Sequence, residues 1–188
     1  MTLKTLMTKK LISPFLLIFI INIGINAQGI IIGNGATLNV NGAGNLVINN
    51  GGLSNAGTFT AGTGTVALTG TAQPTSTSLS GTSPINFYNL SINKTGGGAR
   101  LLRNTSITNN LLLNNGNIDL NGFDIDLGST GSLVGESVFS KVVGSSGGSI
   151  NRTVLLNAPI NVNPGNIGIE ITSAANLGLT TIKRGQTQ

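Results

Sequence analysis

The sequence predicts an all-β protein and, within that class, a parallel β-solenoid of short strands with Gly and Asn corners. Apolar residues recur at spacing two, in runs of three to six residues separated by Gly, Asn, Ser or Thr. A seven-residue strand-and-corner unit repeats in the middle of the chain. Only 8% of residues are charged, yet Ile, Leu and Val recur regularly, which disordered sequences lack. A β-sandwich, whose strands also alternate, is the alternative.

The first 27 residues have the order of a secretory signal peptide. Residues 1–10 carry three lysines and no acidic residue, residues 11–25 are nearly all apolar, and Ala27 supplies a small residue before the predicted cut. The apolar run is shorter than the roughly 20 residues that a membrane-spanning helix needs. The sequence therefore predicts a cleaved export signal over residues 1–27, with an uncleaved membrane anchor as the alternative.

Residues 28–134 are predicted to form the repetitive solenoid. In a strand, alternate side chains share a face, so each apolar pair at spacing two points into one core. The pairs that mark the strands are Leu38/Val40, Leu46/Ile48, Val66/Leu68, Leu90/Ile92, Leu111/Leu113, Ile118/Leu120 and Ile125/Leu127.

The repeat is clearest where three units read LLLNNGN, IDLNGFD and IDLGSTG, beginning at Leu111, Ile118 and Ile125. A coiled coil also has a period of seven. The Gly and Asn in every unit would break such a helix, whereas they suit tight corners between strands. Three units make one coil of about 20 residues, and coils stack about 4.8 Å apart. Some seven coils would then fill the chain, with corner asparagines stacked on one another.

Residues 135–188 have a looser rhythm. Longer strands are expected at residues 138–143, 150–156 and 167–171, and two prolines interrupt the segment. We interpret the segment as a less regular β region, either a cap on the solenoid or the entry to a missing downstream domain.

The composition excludes several classes of function. The chain has no His and no Cys, which removes Ser-His and Cys-His catalysis as well as disulfides. Ser140 and Lys141 are neighbours on an expected strand and would point to opposite faces. Beyond the signal, seven basic and five acidic residues are scattered, so no basic cluster suits nucleic acid. We expect no enzymatic activity, no catalytic residue and no bound cofactor.

Asp119, Asp124 and Asp126 form the only acidic cluster of the sequence. Asp124 and Asp126 share a strand face, and Asp119 belongs to the preceding unit. Our interpretation is a solvated surface. The alternative is a calcium site, because carboxylates and turn carbonyls are ligands that this hard cation prefers.

Two glycine-rich stretches are predicted to be turns rather than phosphate-binding loops. Residues 62–64 read GTG, and residues 96–98 read GGG followed by Ala-Arg-Leu. A P-loop would continue with Lys-Ser or Lys-Thr at the start of a helix.

Threonines and aromatic residues suggest little about a ligand. The segment 58–82 contains repeated Thr-x-Thr pairs, which would form an ice-binding grid if they aligned across coils, and which are otherwise ordinary strand threonines. Tyr88 is the only tyrosine and tryptophan is absent, so a conventional sugar-stacking platform is not expected. Phe87 and Tyr88 are expected to pack at a coil edge.

Several stretches resemble repeats of large secreted proteins of the Bacteroidetes. They are NFYNLSIN (86–93), LLLNNGNIDLNGFDIDLG (111–128) and the segment 152–185, together with a leader ending in Asn-Ala-Gln. The resemblance implies an adhesin-like protein of the cell surface. Such proteins typically carry a C-terminal sorting domain for type IX secretion. That domain is absent here, so downstream domains are expected to be missing.

Together these observations predict an exported structural or adhesin-like segment, secreted or held at the outer cell surface. Its expected partners are an extracellular surface or a glycan, with membrane contact only through an uncleaved signal. Two alternatives stay open: the N-terminal scaffold of a polysaccharide-degrading β-helix enzyme, and an ice- or glycan-binding module.

Overall fold

The computed structural model describes residues 29–74 and 77–186 of the 188-residue chain. It is all-β, with 55% of residues in strands, and its parallel strands stack into a β-solenoid of about five turns. The predicted fold class is therefore confirmed. The predicted signal at residues 1–27 lies outside the described residues.

The strands are short except where two of them run around corners. Their bounds are β1 (Ile30–Ile32), β2 (Thr37–Asn39), β3 (Asn45–Asn49), β4 (Leu53–Asn55), β5 (Thr58–Thr60), β6 (Thr65–Gly70), β7 (Ser78–Ser80), β8 (Asn86–Leu101), β9 (Thr105–Asp119), β10 (Asp124–Asp126), β11 (Ser132–Val134), β12 (Val142–Val143), β13 (Ser149–Asn157) and β14 (Asn176–Gly185). A single turn of 3₁₀-helix spans Pro164–Asn166.

The strands stack on three faces. Face 1 contains β1, β4, β7, the ends of β8 and β9, and β12. Face 2 contains β2, β5, the starts of β8 and β9, then β10 and β13. Face 3 contains β3, β6, the middle parts of β8 and β9, and β11. Hydrogen-bonded neighbours within these stacks are parallel, as expected when each coil returns to the same position one layer on.

The seven-residue repeat corresponds to the three faces of one coil. Leu111 lies on face 3, Ile118 on face 1 and Ile125 on face 2, and none of the three side chains is exposed. The corner after Ile118 is made by Asn121 and Gly122, both with positive φ (49° and 85°). Asn and Gly adopt this left-handed conformation more readily than other residues, so the sequence determines where the chain turns.

Inward side chains form one continuous hydrophobic core. The central layers are fully buried, with Leu90, Leu111 and Leu133 stacked in register on face 3. Phe87 belongs to this core rather than to a coil edge, as it is 1% exposed and packs edge-to-face on Phe59 with ring centroids 5.6 Å apart. Tyr88 is half-buried.

The solenoid has about five turns rather than the expected seven. Pairing registers place stacked residues 19–26 positions apart, because corners differ in length. The last part of the chain forms no further coil. Instead β13 pairs with β14 in an antiparallel hairpin.

The strands expected beyond residue 135 are only partly present. The expected strand at 150–156 lies within β13, but that at 138–143 is reduced to the two residues of β12. Residues 167–171 form no strand, apart from an isolated bridge between Ile171 and Val162. Ile167 is instead completely buried in the hydrophobic core, and this packing replaces pairing of the segment in the sheet.

The hairpin connection covers the last coil. Within residues 158–175, Ile167 is completely buried, and Val162, Ile169 and Ile171 pack against the core. The Nδ2 of Asn166 donates to the carbonyl of Leu133 (2.9 Å), which ties the connection to β11. The inward side chains of the final coil are thereby shielded from water.

The two glycine-rich stretches differ in structure. Residues 62–64 form a turn, with φ of 57° at Gly62, as predicted. Residues 96–98 lie within β8, although a turn was predicted. The register of β8 against β9 breaks between Asn93 and Gly98, so the corner is made inside a continuous extended segment.

Candidate functional site

The main candidate site is a polar groove of about 400 Å³ on face 2, here called the face-2 groove. It crosses the starts of β8 and β9, then β10, and ends at the β13–β14 hairpin. Its lining residues are Asn86, Asn104, Thr105, Ser106, Asp124, Asp126, Asn151, Thr153 and Thr181.

The coil register builds this groove. Asn86 pairs with Ser106, Ser106 with Asp126, and Asp126 with Asn151, so four outward side chains form one column across four layers. Their strand neighbours point inward, as buried Ile125 does between Asp124 and Asp126. The period of two in each strand thus separates a polar outer surface from the core.

Hydrogen bonds hold the groove side chains in place. The hydroxyl of Ser106 donates to Oδ1 of Asn86 (2.7 Å). Oδ1 of Asp124 accepts from the backbone N–H of Ser149 (2.8 Å) and from its hydroxyl (2.7 Å). Oδ1 of Asp126 accepts from the backbone N–H of Gly128 in the following turn (2.8 Å). The carboxylates are therefore oriented without a bound ligand.

Each of these side chains also keeps a polar atom for a ligand. Oδ2 of Asp124 and Oδ2 of Asp126 have no hydrogen-bond partner in the described part of the chain. The same holds there for the Nδ2 groups of Asn86 and Asn104, whose Oδ1 atoms are engaged. The groove thus offers two carboxylate acceptors and two amide donors.

A second depression of about 300 Å³ adjoins the groove at its N-terminal end. It lies beside Tyr88 and Phe87, at the point where the strand ladder of face 2 is interrupted, since β2 and β5 form a separate two-stranded sheet. Asn86 lines both the depression and the groove. A partly exposed tyrosine therefore stands at one end of the polar column.

Asp119 is not part of the groove. It lies on face 1, is 7% exposed, and accepts hydrogen bonds from Arg100 Nε (3.1 Å), from the N–H of Asn121 (3.0 Å), and from the N–H and hydroxyl of Ser145 (2.9 and 2.7 Å). Burial acts to raise the pKa of Asp119, but the hydrogen bonds from Ser145, Asn121 and Arg100 outweigh it and hold that pKa below its usual value. This aspartate links three layers of face 1.

The structure does not gather the three aspartates proposed as calcium ligands. Asp124 and Asp126 share the groove, whereas Asp119 is engaged on another face. Among residues 29–74 and 77–186, no group of three or more Asp, Glu, His or Cys side chains is placed to hold a metal ion.

Ser140 and Lys141 do not lie on a strand as expected. Ser140 ends a bend and is buried, and Lys141 follows it immediately before β12 and is exposed. The hydroxyl of Ser137 accepts from the N–H of Ser140 (3.1 Å) and stabilises this bend. The two side chains therefore have opposite environments.

The Thr-x-Thr pairs do not stack on one another as a single grid. Thr58 and Thr60 lie on face 2, where they pair with Thr37 and Asn39. Thr65 and Thr69 lie on face 3 and pair with asparagines of both neighbouring layers. Thr75 and Ser76 of a further pair lie outside the described residues.

Two interactions of charged side chains were not predicted from the sequence. Lys94 is 1% exposed; its Nζ donates to Thr77 Oγ1 (2.8 Å) and to the carbonyl of Thr69 (3.2 Å), and burial lowers its pKa. Its spacing of two from buried Ile92 was the available signal. The second is the ion pair of Arg184 with Glu136 (2.6 Å), whose partners are 48 positions apart and gave no local signal.

Comparison of the chain with protein-family profiles, curated proteins and solved structures found no match. Within the residues that the structure describes, no helix has the length and hydropathy required to cross a membrane.

Proposed function

We propose that this chain is an exported structural segment of the cell surface, with an adhesin-like role and no catalytic role of its own. The observation that carries the proposal is the continuous stack of parallel coils around one hydrophobic core. Such a stack places outward side chains on fixed, regularly spaced layers, and so presents a rigid contact surface.

The dimensions of the stack fit a presenting module. At about 4.8 Å per layer, five turns rise about 24 Å. The predicted signal at residues 1–27 and the resemblance to repetitive secreted proteins of the Bacteroidetes support export and attachment to further domains. In that setting the solenoid spaces its neighbours and exposes its uncharged Asn, Ser and Thr surface.

The proposal is tested by locating the full chain, expressed with its own leader in a Gram-negative bacterium. We expect a product shortened by about the length of the predicted signal. It should be degraded when protease is added to intact cells, or appear in the medium. A control chain without residues 1–27 should stay inside the cell and resist the protease. Recovery of the full-length, unprocessed chain in the cytoplasm would contradict the proposal.

A further inference from the structure

We infer that the face-2 groove binds an extended, uncharged polysaccharide that lies along the solenoid axis and crosses the coils. This inference rests on the proposed role as a surface-exposed contact segment, and it adds a site and a ligand class to that role.

The spacing of the groove is that of the coils. The column from Asn86 to Asn151 crosses three layer spacings, which amounts to about 14 Å at 4.8 Å per layer. One layer is close to the length of a single pyranose residue in an extended chain. Successive sugars of such a chain would therefore meet successive layers of the column in a similar position.

The hydrogen-bonding inventory suits hydroxyl groups. Sugar hydroxyls both donate and accept, and neighbouring hydroxyls on a ring can donate to one carboxylate while accepting from an amide. The groove supplies this mixture through the uncommitted Oδ2 atoms of Asp124 and Asp126 and the uncommitted Nδ2 groups of Asn86 and Asn104. Because their Oδ1 atoms are already bonded, little side-chain freedom is lost when a ligand binds.

The charge of the groove selects among polysaccharides. Its lining contains two carboxylates and no Lys or Arg. An anionic polysaccharide would meet like charge at Asp124 and Asp126, which disfavours binding at low ionic strength. A neutral chain meets no such repulsion.

An aromatic surface lies at the end of the column. Tyr88 borders the depression that shares Asn86 with the groove. An aromatic ring can pack against the apolar face of a sugar, so the depression offers a terminal subsite for a chain lying in the groove. The groove is thus polar along its length and partly aromatic at one end.

The test is electrophoresis of the full chain, purified from the fraction in which cells place it, through native gels containing a soluble polysaccharide. The neutral probes are hydroxyethylcellulose and galactomannan, and the anionic probe is polygalacturonate. We expect retardation in at least one neutral gel that Ser106→Lys weakens, whereas retardation by polygalacturonate, which the net positive charge of the chain causes outside the groove, should not weaken in that variant. Absence of retardation in both neutral gels, or retardation by polygalacturonate alone, would overturn the inference.

Two matched variants locate the site. Ser106→Lys places a long side chain in the middle of the column, where it can pair with Asp126 of the next layer, and should weaken retardation about ten-fold. Ser132→Lys makes the same change at a half-buried strand position on face 3 and should leave retardation unchanged. Equal thermal midpoints show that both variants are folded. If Ser106→Lys binds like the parent, or both variants lose binding equally, the groove is not the site.

The two proposals fail separately. Cytoplasmic recovery of the unprocessed chain contradicts export, whereas an exported chain that no neutral polysaccharide retards contradicts only the groove assignment.

Discussion

Replacing Asp119 by Asn tests whether this buried carboxylate links the layers of face 1. The carboxylate accepts four hydrogen bonds, from Asn121, Arg100 and twice from Ser145. An Asn side chain can keep the two bonds to Oδ1, but its amide N–H₂ then faces the Nε–H of Arg100, which is also a donor. Loss of a charge-assisted hydrogen bond costs about 1.5–3 kcal/mol, so we expect Asp119→Asn to lower the free energy of unfolding by about 2–3 kcal/mol.

The measurement is urea denaturation at pH 7, followed by far-ultraviolet circular dichroism. The control is Glu170→Gln, which removes the same charge from an exposed side chain that makes no hydrogen bond within the described residues, and it should stay within about 0.5 kcal/mol of the parent. A cost for Asp119→Asn no larger than that of the control would refute the reasoning.

The pH dependence of the same comparison gives a second test. Because the folded-state pKa of Asp119 is lowered, its stabilising contribution is complete above the unfolded value of about 3.9. It is lost as the pH falls through the folded-state pKa. The difference between the parent and Asp119→Asn should therefore shrink below about pH 3.9, and a difference that stays constant at lower pH would contradict this assignment.

Three further changes have defined outcomes. Glu136→Gln weakens the ion pair with Arg184, whose guanidinium also donates to the carbonyl of Ile167 in the hairpin connection, so amide hydrogen exchange should rise within residues 158–175 before it rises in the coils; uniform exchange would contradict this. Burial acts to raise the pKa of Glu136, but its hydrogen bonds from Arg184 outweigh this and leave that pKa below its usual value. Acid should therefore raise exchange in the same segment of the parent only at a pH below the usual range of a glutamate. Gly52→Ala would press a methyl group onto the backbone of the next coil and lower the thermal midpoint, whereas Gly33→Ala, with open space around it, should not. Burial lowers the pKa of Lys94. The parent should therefore gain stability relative to Lys94→Met as the pH rises toward the ordinary lysine value of about 10.4. A stability difference that does not change with pH would contradict a lowered pKa for Lys94.

The sequence predicted the coil well because strand alternation is a local property. Side chains at spacing two share a face whatever the strand later pairs with, so Leu111 and Leu113 could be assigned to the core before any partner was known. Corners were equally predictable from the sequence where Asn and Gly adopt positive φ, as at Asn121 and Gly122. The predicted strand at 167–171 was wrong, because its alternating isoleucines serve to cover the coil end rather than to extend a sheet.

Only part of the candidate site could be predicted from the sequence. Asp124 and Asp126 were predicted to share a face because they lie two positions apart on one strand, and they do share the groove. Their companions Asn86, Ser106 and Asn151 come from other coils, with Ser106 standing 20 positions from Asn86. Corner lengths vary from coil to coil, so sequence spacing does not give the register that brings these residues together.

The sequence by itself determined the class of strand, the inward and outward sides of each strand and many of the corners, because each depends on a few neighbouring residues. Tertiary structure decided which outward residues form a groove, which layers Asp119 joins and where the stack ends. These features depend on stacking between coils, as in the pairing of Asp119 with Ser145, 26 positions away. Burial in the stack, rather than residue type, turned one aspartate into a structural link and left two others available for a ligand.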